Sequence, residues 1–186
     1  MGTAGDSSTD LERLSDLIRQ RNENEVEITR IIGRPAQIGH IGEYLAAAIF
    51  NIALEDSANT AGFDGRFQEC PFAGKTVNVK MYGKRESLLD INPDHVPDFF
   101  LVFTGPASVA ASSRNQTRPW IVAEVFLFSG PPLVARLRDR GVKIGIATSV
   151  RQADWDAARI YPAHPEAPLS ITPGQEQTLG LFEFNS

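Results

Sequence analysis

The chain has 186 residues, of which 42% are hydrophobic, so its length suits one domain with a substantial core. A formal net charge of −5 disfavours a protein that coats nucleic acid by bulk electrostatic attraction. The single cysteine excludes an internal disulfide, and without a signal-like start or a membrane-length apolar run we expect a cytoplasmic protein with no membrane association.

Two helices are predicted in the first third of the chain. Apolar residues at helical spacing predict a peripheral first helix over residues 10–32. The segment EYLAAAIFNIAL, residues 43–54, is dense in apolar residues and predicts a second, core-facing helix. We therefore divide the chain into an N-terminal helical extension, residues 1–35, and a main domain, residues 36–186. The two apolar stripes consist of Leu11, Leu14, Leu17 and Ile18, and of Ile41, Leu45, Ile49 and Ile52.

Three strands are predicted next. AGFDGRFQEC (residues 61–70) and KTVNVKMYG (residues 75–83) are strand-like runs separated by the turn-prone sequence PFAG, which is the pattern of a β-hairpin. VPDFFLVFTG (residues 96–105) follows the turn sequence NPDH and is the third strand. The polar, small-residue sequence PASVAASSRNQTRP (residues 106–119) is the best candidate for a flexible excursion.

The second half of the chain alternates strands and helices. WIVAEVFLF (residues 120–128) is predicted as a fourth strand. PPLVARLRDRG (residues 131–141) is predicted as a short helix with proline at its start and Gly141 at its end. VKIGIATSV (residues 142–150) is predicted as a fifth strand and RQADWDAARIY (residues 151–161) as a further short helix.

The C-terminal tail is predicted to lie on the surface. PAHPEAPLSITPGQEQ (residues 162–177) is rich in proline, and TLGLFEF (residues 178–184) is expected to be extended. The order of all these elements predicts an α/β fold, in which a mixed sheet is flanked by helices.

Alternation gives the strand KTVNVKMYG one polar face, on which Asn78 and Lys80 lie. The opposite face is hydrophobic and consists of Val77, Val79 and Met81. A lysine on an inner polar face needs a reason. Metal-dependent phosphodiester cleavage provides one, because it needs carboxylates that hold Mg²⁺ and a lysine that steadies the attacking water or the developing negative charge.

Two acidic residues precede this strand. Asp64 precedes Asn78 and Lys80 across the predicted hairpin, and Glu43 on the second helix is a further candidate metal ligand. Ordinary interpretations stay open: an aspartate before a glycine is typical of a turn, Lys80 can extend to solvent, and Glu43 favours the positive end of its helix. It is the conjunction of these residues, in this order, that favours a chemical role.

The order of a helix with Glu43, a strand with Asp64 and a strand with Asn78-Val79-Lys80 resembles the PD-(D/E)XK superfamily of restriction-endonuclease-like nucleases. The resemblance covers about residues 39–103. It implies a restriction-endonuclease-like core, with a central four-stranded mixed sheet and helices on both sides. It also implies that Asp64 binds Mg²⁺ or Mn²⁺, that Lys80 is the catalytic lysine and that Glu43 is the helix glutamate found in many members.

The chain departs from that family at Asn78, which stands at the second acidic position. An amide oxygen can coordinate Mg²⁺ but brings no charge, so we expect weaker metal binding. Asp98 is the best candidate for a replacement, because in an antiparallel pair it would lie near the end of the strand that carries Asn78. Asp94 and Glu86 are weaker candidates. The expected metal ligands are therefore Asp64, Glu43, Asn78 and Asp98.

The expected function is that of a nuclease-like protein, with DNA favoured over RNA and a homodimer natural for double-strand cutting. The alternative is a catalytically degenerate module that acts as a nucleic-acid-binding or protein-interaction scaffold, with a protein partner at the WIVAEVFLF region. The pI of about 5.2 and Asn78 favour the scaffold. The ordered Asp64, Lys80 and Glu43 favour the enzyme. The expected nucleic-acid contacts are Arg66, Lys84 and Arg85, with Tyr82 stacking on an unpaired base.

Overall fold

The computed structural model describes residues 4–55, 62–107 and 118–183, and within them the chain forms five helices and eight strands. The helices are α1 (Ala4–Ile32), α2 (Ile38–Phe50), α3 (Gly130–Asp139), α4 (Gln152–Ala158) and α5 (Pro173–Gly180). The strands are β1 (Ile52–Leu54), β2 (Gly65–Phe67), β3 (Thr76–Tyr82), β4 (Leu88–Leu89), β5 (Phe99–Thr104), β6 (Glu124–Ser129), β7 (Thr148–Ser149) and β8 (Arg159–Tyr161). No helix in these ranges is both long enough and apolar enough to cross a membrane.

The central sheet is mixed, has six strands and is flanked by helices, which confirms the predicted α/β class. Its strands lie in the order β1-β2-β3-β5-β6-β8. Neighbouring strands pair antiparallel except β3 and β5, which are parallel. A parallel pair cannot be joined by a tight hairpin, and the connection between β3 and β5 carries β4. Strand β4 pairs antiparallel with β7 in a small second sheet.

The chain divides into two compact units, Met1–Ile41 and Gly42–Ser186. Helix α1 makes up most of the first unit, and the second unit contains both sheets. The exposed surface of α1 carries ion pairs between side chains one turn apart. These pairs join Arg19 to Asp16, Arg21 to Glu25 and Arg30 to Glu27. Exposed pairs of this kind contribute about 0.3–0.5 kcal/mol each, so they support the helix without holding it in place.

Within the second unit, α2 packs on the hydrophobic face of β3. Val79 and Met81 are buried on that face. Gly42 allows the helix to approach closely, because a Cβ at this position would lie 2.8 Å from the Cβ of Met81. Phe50, at the end of α2, contacts Phe103 of β5 with ring centroids 6.2 Å apart. The hydrophobic side chains of β3 therefore form part of the core between the sheet and α2.

Another cluster of buried residues joins β6 to α3 and α4. Phe126 and Phe128 of β6 meet the ring of Trp155 edge-on, with centroids 4.7 and 4.9 Å away. Trp155, on α4, is fully buried. Helix α3 adds a buried stripe that consists of Leu133, Val134 and Leu137. Burying an apolar side chain of this size contributes about 1.5–3 kcal/mol, so this cluster holds α3 and α4 on the sheet.

The hairpin, the third and fourth strands and the short helix over residues 131–141 are confirmed as β2-β3, β5, β6 and α3. Prolines lie in the first turn of α3, and Gly141 just after its end has a φ of +67°. Strand β6 pairs with both β5 and β8, and its residues Val125 to Phe128 are buried. On the side away from β5, this strand is paired with β8 at Val125 and Phe126, and a protein partner at the WIVAEVFLF region stays a prediction.

The first hairpin strand, predicted over residues 61–70, is shorter than expected because β2 covers only Gly65–Phe67, and three further predicted elements are wrong in their extent. The helix predicted over residues 43–54 ends at Phe50, because Asn51 has a φ of +49° that terminates it, and Ile52–Leu54 forms β1. The helix predicted over residues 151–161 is α4 followed by β8, which pairs with β6. Of the strand predicted over residues 142–150, only Thr148–Ser149 is a strand.

The C-terminal residues 178–184 were expected to be extended, and their first residues instead complete helix α5. Thr172 and Gln175 form a capping box, in which the Thr172 hydroxyl accepts from the Gln175 amide at 3.2 Å and the Gln175 side chain accepts from the Thr172 amide at 2.8 Å. Proline in the first turn starts the same helix. Most of the excursion predicted over residues 106–119 lies outside the described residues.

The close packing of α2 on β3 predicts opposite effects for two glycine substitutions. Gly42→Ala should lower the free energy of unfolding by about 1 kcal/mol, because the clash with Met81 outweighs the gain in helix propensity. Gly39→Ala, in the same helix with open space around it, should raise that free energy by about 0.5–1 kcal/mol. Urea unfolding of both variants measures the difference. Equal effects of the two substitutions would contradict the packing described.

Candidate functional site

The polar face of β3 is the centre of the candidate site. Thr76, Asn78, Lys80 and Tyr82 are half-buried and alternate with buried hydrophobic residues along the strand. The predicted alternation is therefore confirmed. Lys80 lies on the side of β3 opposite to the side that α2 covers.

Asp64 lies at the edge of β3, where the pairing of β2 with β3 ends. The last paired residues are Gly65 and Val77, so Asp64 comes next in register beside Asn78. The Asp64 amide donates to the Val77 carbonyl at 2.8 Å, and the Asp64 carboxylate accepts from the Val79 amide at 2.6 Å. A side chain here takes the place of a paired strand. The carboxylate thus contacts the backbone between Asn78 and Lys80.

Asn78 has a buried polar atom that the described residues leave without a partner. Its side-chain oxygen, Oδ1, is inaccessible to solvent and accepts no hydrogen bond from them. Burying an oxygen without a partner costs on the order of 1–3 kcal/mol, and such atoms in native proteins call for an explanation. A cation or its coordinated water could satisfy this oxygen only after the Asn78 side chain or its neighbours move, because no water-sized molecule reaches the atom in this arrangement. The amide oxygen of Asn78 and the carboxylate of Asp64 are both ligands that Mg²⁺ and Mn²⁺ accept.

Asp98 does not supply the missing carboxylate in the way that the sequence suggested. The expectation of an antiparallel pair is wrong, because β3 and β5 are parallel with Val77 opposite Phe99. Asp98 therefore lies at the start of β3. Its carboxylate accepts hydrogen bonds of 2.9 Å from the amide and the hydroxyl of Thr76, and it pairs with Lys75 at 3.1 Å.

The pKa of Asp98 is lowered from its ordinary value. Partial burial opposes ionisation, but the hydrogen bonds from Thr76 and the hydrogen bond and charge of Lys75 outweigh it. The Thr76 hydroxyl also accepts from the Asp98 amide at 2.9 Å, so the two residues bond reciprocally. These contacts assign Asp98 a structural role, namely tying the start of β3 to the start of β5.

Glu43 and the weaker candidates take different positions. Glu43 is half-buried on α2, next to the Gly42 that packs on the hydrophobic face of β3, and so comes from the other side of the sheet from Asn78. Glu86 accepts from Arg118, whose Nη2 lies 3.1 Å from both carboxylate oxygens. Asp94 is exposed. Within the described ranges, no three His, Cys, Asp or Glu side chains come together as a metal cluster.

Three of the expected nucleic-acid contacts are engaged within the fold. Arg85 pairs with Glu124 at 2.7 Å and donates to Gln152 at 2.9 Å, and only 11% of its side chain is exposed. Arg66 donates to the Gly74 carbonyl at 3.1 Å. The hydroxyl of Tyr82 accepts from the Asp90 amide at 3.1 Å, and burial raises the pKa of that phenol. Its stacking on an unpaired base stays a prediction. Lys84, the fourth contact, is half-buried.

An open cleft of about 370 Å³ begins beside the polar face of β3. Thr76 lies in its wall, two residues before Asn78, and Gly62 packs against the backbone of His95 across it. In the sequence, His95 lies at no metal-ligand spacing from another histidine or from the cysteine. Only the folded chain places it near the segment that carries Asp64. The cleft is lined by Gly62, Phe63, Thr76, Asp94, His95, Val96 and Pro97.

No protein-family model matches the chain, and a search of curated proteins gives no match to its sequence.

The network around Asp98 predicts a pH-dependent loss of stability. Asp98→Ala leaves the Thr76 amide without its acceptor and should lower the free energy of unfolding by roughly 1–2 kcal/mol at neutral pH. Because the folded pKa is lowered, the contribution of the carboxylate is present above its unfolded pKa of about 3.9 and is lost as pH falls through the folded value. The loss of unfolding free energy caused by Asp98→Ala should therefore be smaller at acid pH.

Denaturant unfolding at neutral pH and near pH 3 measures this deficit. Asp94→Ala is the matched control, because Asp94 is exposed on the same connection and its replacement should change stability by less than about 0.5 kcal/mol. If Asp98→Ala is as stable as the wild type at neutral pH, the hydrogen-bond network around Asp98 contributes nothing to the free energy of unfolding.

Proposed function

We propose that this protein is a metal-dependent phosphodiesterase that acts on nucleic acid, with its reaction centre at the edge of β3 formed by Asp64, Asn78 and Lys80. The observation that carries the proposal is the buried Asn78 oxygen without a partner among the described residues, on the strand whose Val79 amide holds the Asp64 carboxylate in place. Two oxygen ligands and a lysine on one strand edge are the residue types that phosphodiester hydrolysis uses.

The small number of protein ligands suits Mg²⁺ or Mn²⁺. Magnesium keeps several of its waters and is usually held by one or two carboxylates together with phosphate oxygens of the substrate. Asp64 and Asn78 would provide such an incomplete set, which the substrate completes. When bound, the ion would lower the charge repulsion between the phosphate and an attacking water. We therefore expect weak metal binding to the protein alone.

Lys80 provides the positive charge for the reaction. In hydrolysis a water attacks phosphorus and releases a proton to solvent, the bond from phosphorus to the leaving sugar oxygen breaks, and that oxygen takes up a proton from solvent. Negative charge builds up on the phosphate oxygens in the transition state. An ammonium fixed by a strand stabilises that charge without reorganising. Lys80 lies on the same face of β3 as Asn78, which is the face on which the phosphate would bind.

The fold supports a restriction-endonuclease-like core. A helix, a hairpin and a further strand follow one another in the order that the PD-(D/E)XK resemblance implies, as α2, β2-β3 and β5. The sheet is mixed, as that core requires, and it has six strands rather than four. The 370 Å³ cleft reaches Thr76, which lies two residues before Asn78 on the same face of β3.

Cleavage assays test the proposal. Labelled single- and double-stranded DNA and RNA should be cut in Mg²⁺ or Mn²⁺ and not in EDTA. Asp64→Ala and Lys80→Ala should each lower the rate on the order of 100-fold or more, because each removes a group that acts on the phosphate in the transition state. Asn78→Asp should lower the concentration of Mg²⁺ needed for half-maximal rate, because it adds a negative charge at the ion.

Matched controls separate these effects from general damage. Lys143→Ala and Asp139→Ala remove exposed charges of the same types outside β3 and should leave the rate within about twofold. If Asp64→Ala and Lys80→Ala cut as fast as the controls, the nuclease proposal fails. Absence of any metal-dependent cutting of all four substrates would favour the scaffold alternative.

A further inference from the structure

Helix α1 exposes most of its apolar side chains. The exposed fractions are 66% for Leu11, 52% for Leu14, 44% for Leu17, 49% for Ile18 and 66% for Ile31. A solvent-facing apolar stripe on a helix of 29 residues is larger than scattered surface hydrophobics and indicates a binding surface. A helix in a protein gains most of its stability from packing such a face.

The apolar residues of α1 form two clusters around a polar middle. Three pairs of residues along α1 repeat at the heptad spacing of a coiled coil, at the positions that would face a partner helix. The outer two pairs are apolar, and the middle pair consists of Arg21 and Asn24, both exposed. The three pairs are Leu14 and Leu17, Arg21 and Asn24, and Ile28 and Ile31.

We propose that α1 pairs antiparallel with α1 of a second copy of this chain. Reversing the helix about its middle places Leu14 opposite Ile31 and Leu17 opposite Ile28. Leucines then pack against isoleucines at both ends of a symmetric interface, and the two copies contribute identical surfaces.

The polar middle of the stripe favours the antiparallel direction. In antiparallel pairing Arg21 of one copy lies opposite Asn24 of the other, and the amide oxygen of an asparagine can accept a hydrogen bond from a guanidinium. In parallel, in-register pairing each core position faces its own copy, so two Arg21 side chains would meet at the seam. Like charges at that position oppose association, and the exposed pair that Arg21 makes with Glu25 at 3.7 Å offsets only part of this repulsion.

The charge of α1 disfavours a membrane surface as the partner that covers its exposed apolar face. The helix carries seven acidic residues against four arginines and no lysine, for a net charge of −3. Helices that lie on anionic lipid are rich in Lys and Arg on their polar face, and a net negative charge is repelled by that surface. Three of the acidic residues, Glu12, Asp16 and Glu23, lie at heptad positions away from the seam, where a second copy of α1 leaves them in solvent.

Disulfide trapping in the full chain tests both the dimer and its direction. Leu14→Cys and Ile31→Cys are made separately in a Cys70→Ser background, because Cys70 is exposed. The two variants are mixed and oxidised mildly. The proposal expects the mixed disulfide, which joins position 14 of one copy to position 31 of the other, to form in large excess over either symmetric disulfide. Wild-type protein should sediment as a dimer.

A charge substitution provides a second test of the direction in which the two helices pair. Asn24→Asp places a carboxylate opposite Arg21 twice in the antiparallel dimer and should lower its dissociation constant about fivefold. In a parallel dimer the same substitution brings two aspartates together and should raise that constant. Asn22→Asp is the matched control, because Asn22 is exposed and lies off the seam, and it should leave the constant within about twofold.

The outcomes that overturn the proposal are distinct from those that overturn the nuclease. Symmetric disulfides from the single variants, or weaker association of Asn24→Asp, would overturn the antiparallel direction. A wild-type monomer at micromolar concentration would overturn the dimer. Circular dichroism confirms that the variants keep their helix content, and none of these results depends on nuclease activity.

Discussion

The hydrogen bond from the Val79 amide to the Asp64 carboxylate is the contact on which the candidate site depends. Strand β2 is short, and Gly65 fits tightly in it, since a Cβ there would lie 2.5 Å from the Ala53 carbonyl oxygen. The main-chain pairing of β2 with β3 ends at Asp64, whose amide still donates to the Val77 carbonyl, and the next amide of β3, that of Val79, is satisfied by a side chain instead. Asp64 provides that side chain, and its carboxylate is thereby fixed beside Asn78.

The parallel pairing of β3 with β5 separates two aspartates that look alike in the sequence. Asp98 ties the two strands together through Thr76 at the start of β3, whereas Asp64 lies further along β3. The first aspartate joins the starts of the two strands, and the second accepts a hydrogen bond from the Val79 amide. Buried side chains pack on both sides of the sheet, and a site built from few ligands needs packed support of this kind.

Local patterns in the sequence predicted the local features of the structure. The alternation in β3 that sets Asn78 and Lys80 apart from Val79 has a period of two, and the hairpin is signalled by its turn. The direction of β5 and the partner of Arg85 depend on residues distant in sequence, so neither followed from any window of the chain. The capping box at Thr172 was a local signal for α5 that the proline-rich tail concealed.

Paramagnetic broadening by Mn²⁺ tests the central claim most directly, because it locates the bound ion without requiring activity. Backbone amide signals of Asp64, Asn78, Val79 and Lys80 are followed by NMR while Mn²⁺ is added to the wild-type protein and to the Asp64→Ala variant. We predict that these four signals broaden before the other amide signals in the wild type and that they no longer broaden first in the variant. Broadening that starts elsewhere, or that Asp64→Ala leaves unchanged, would contradict a metal site at the edge of β3.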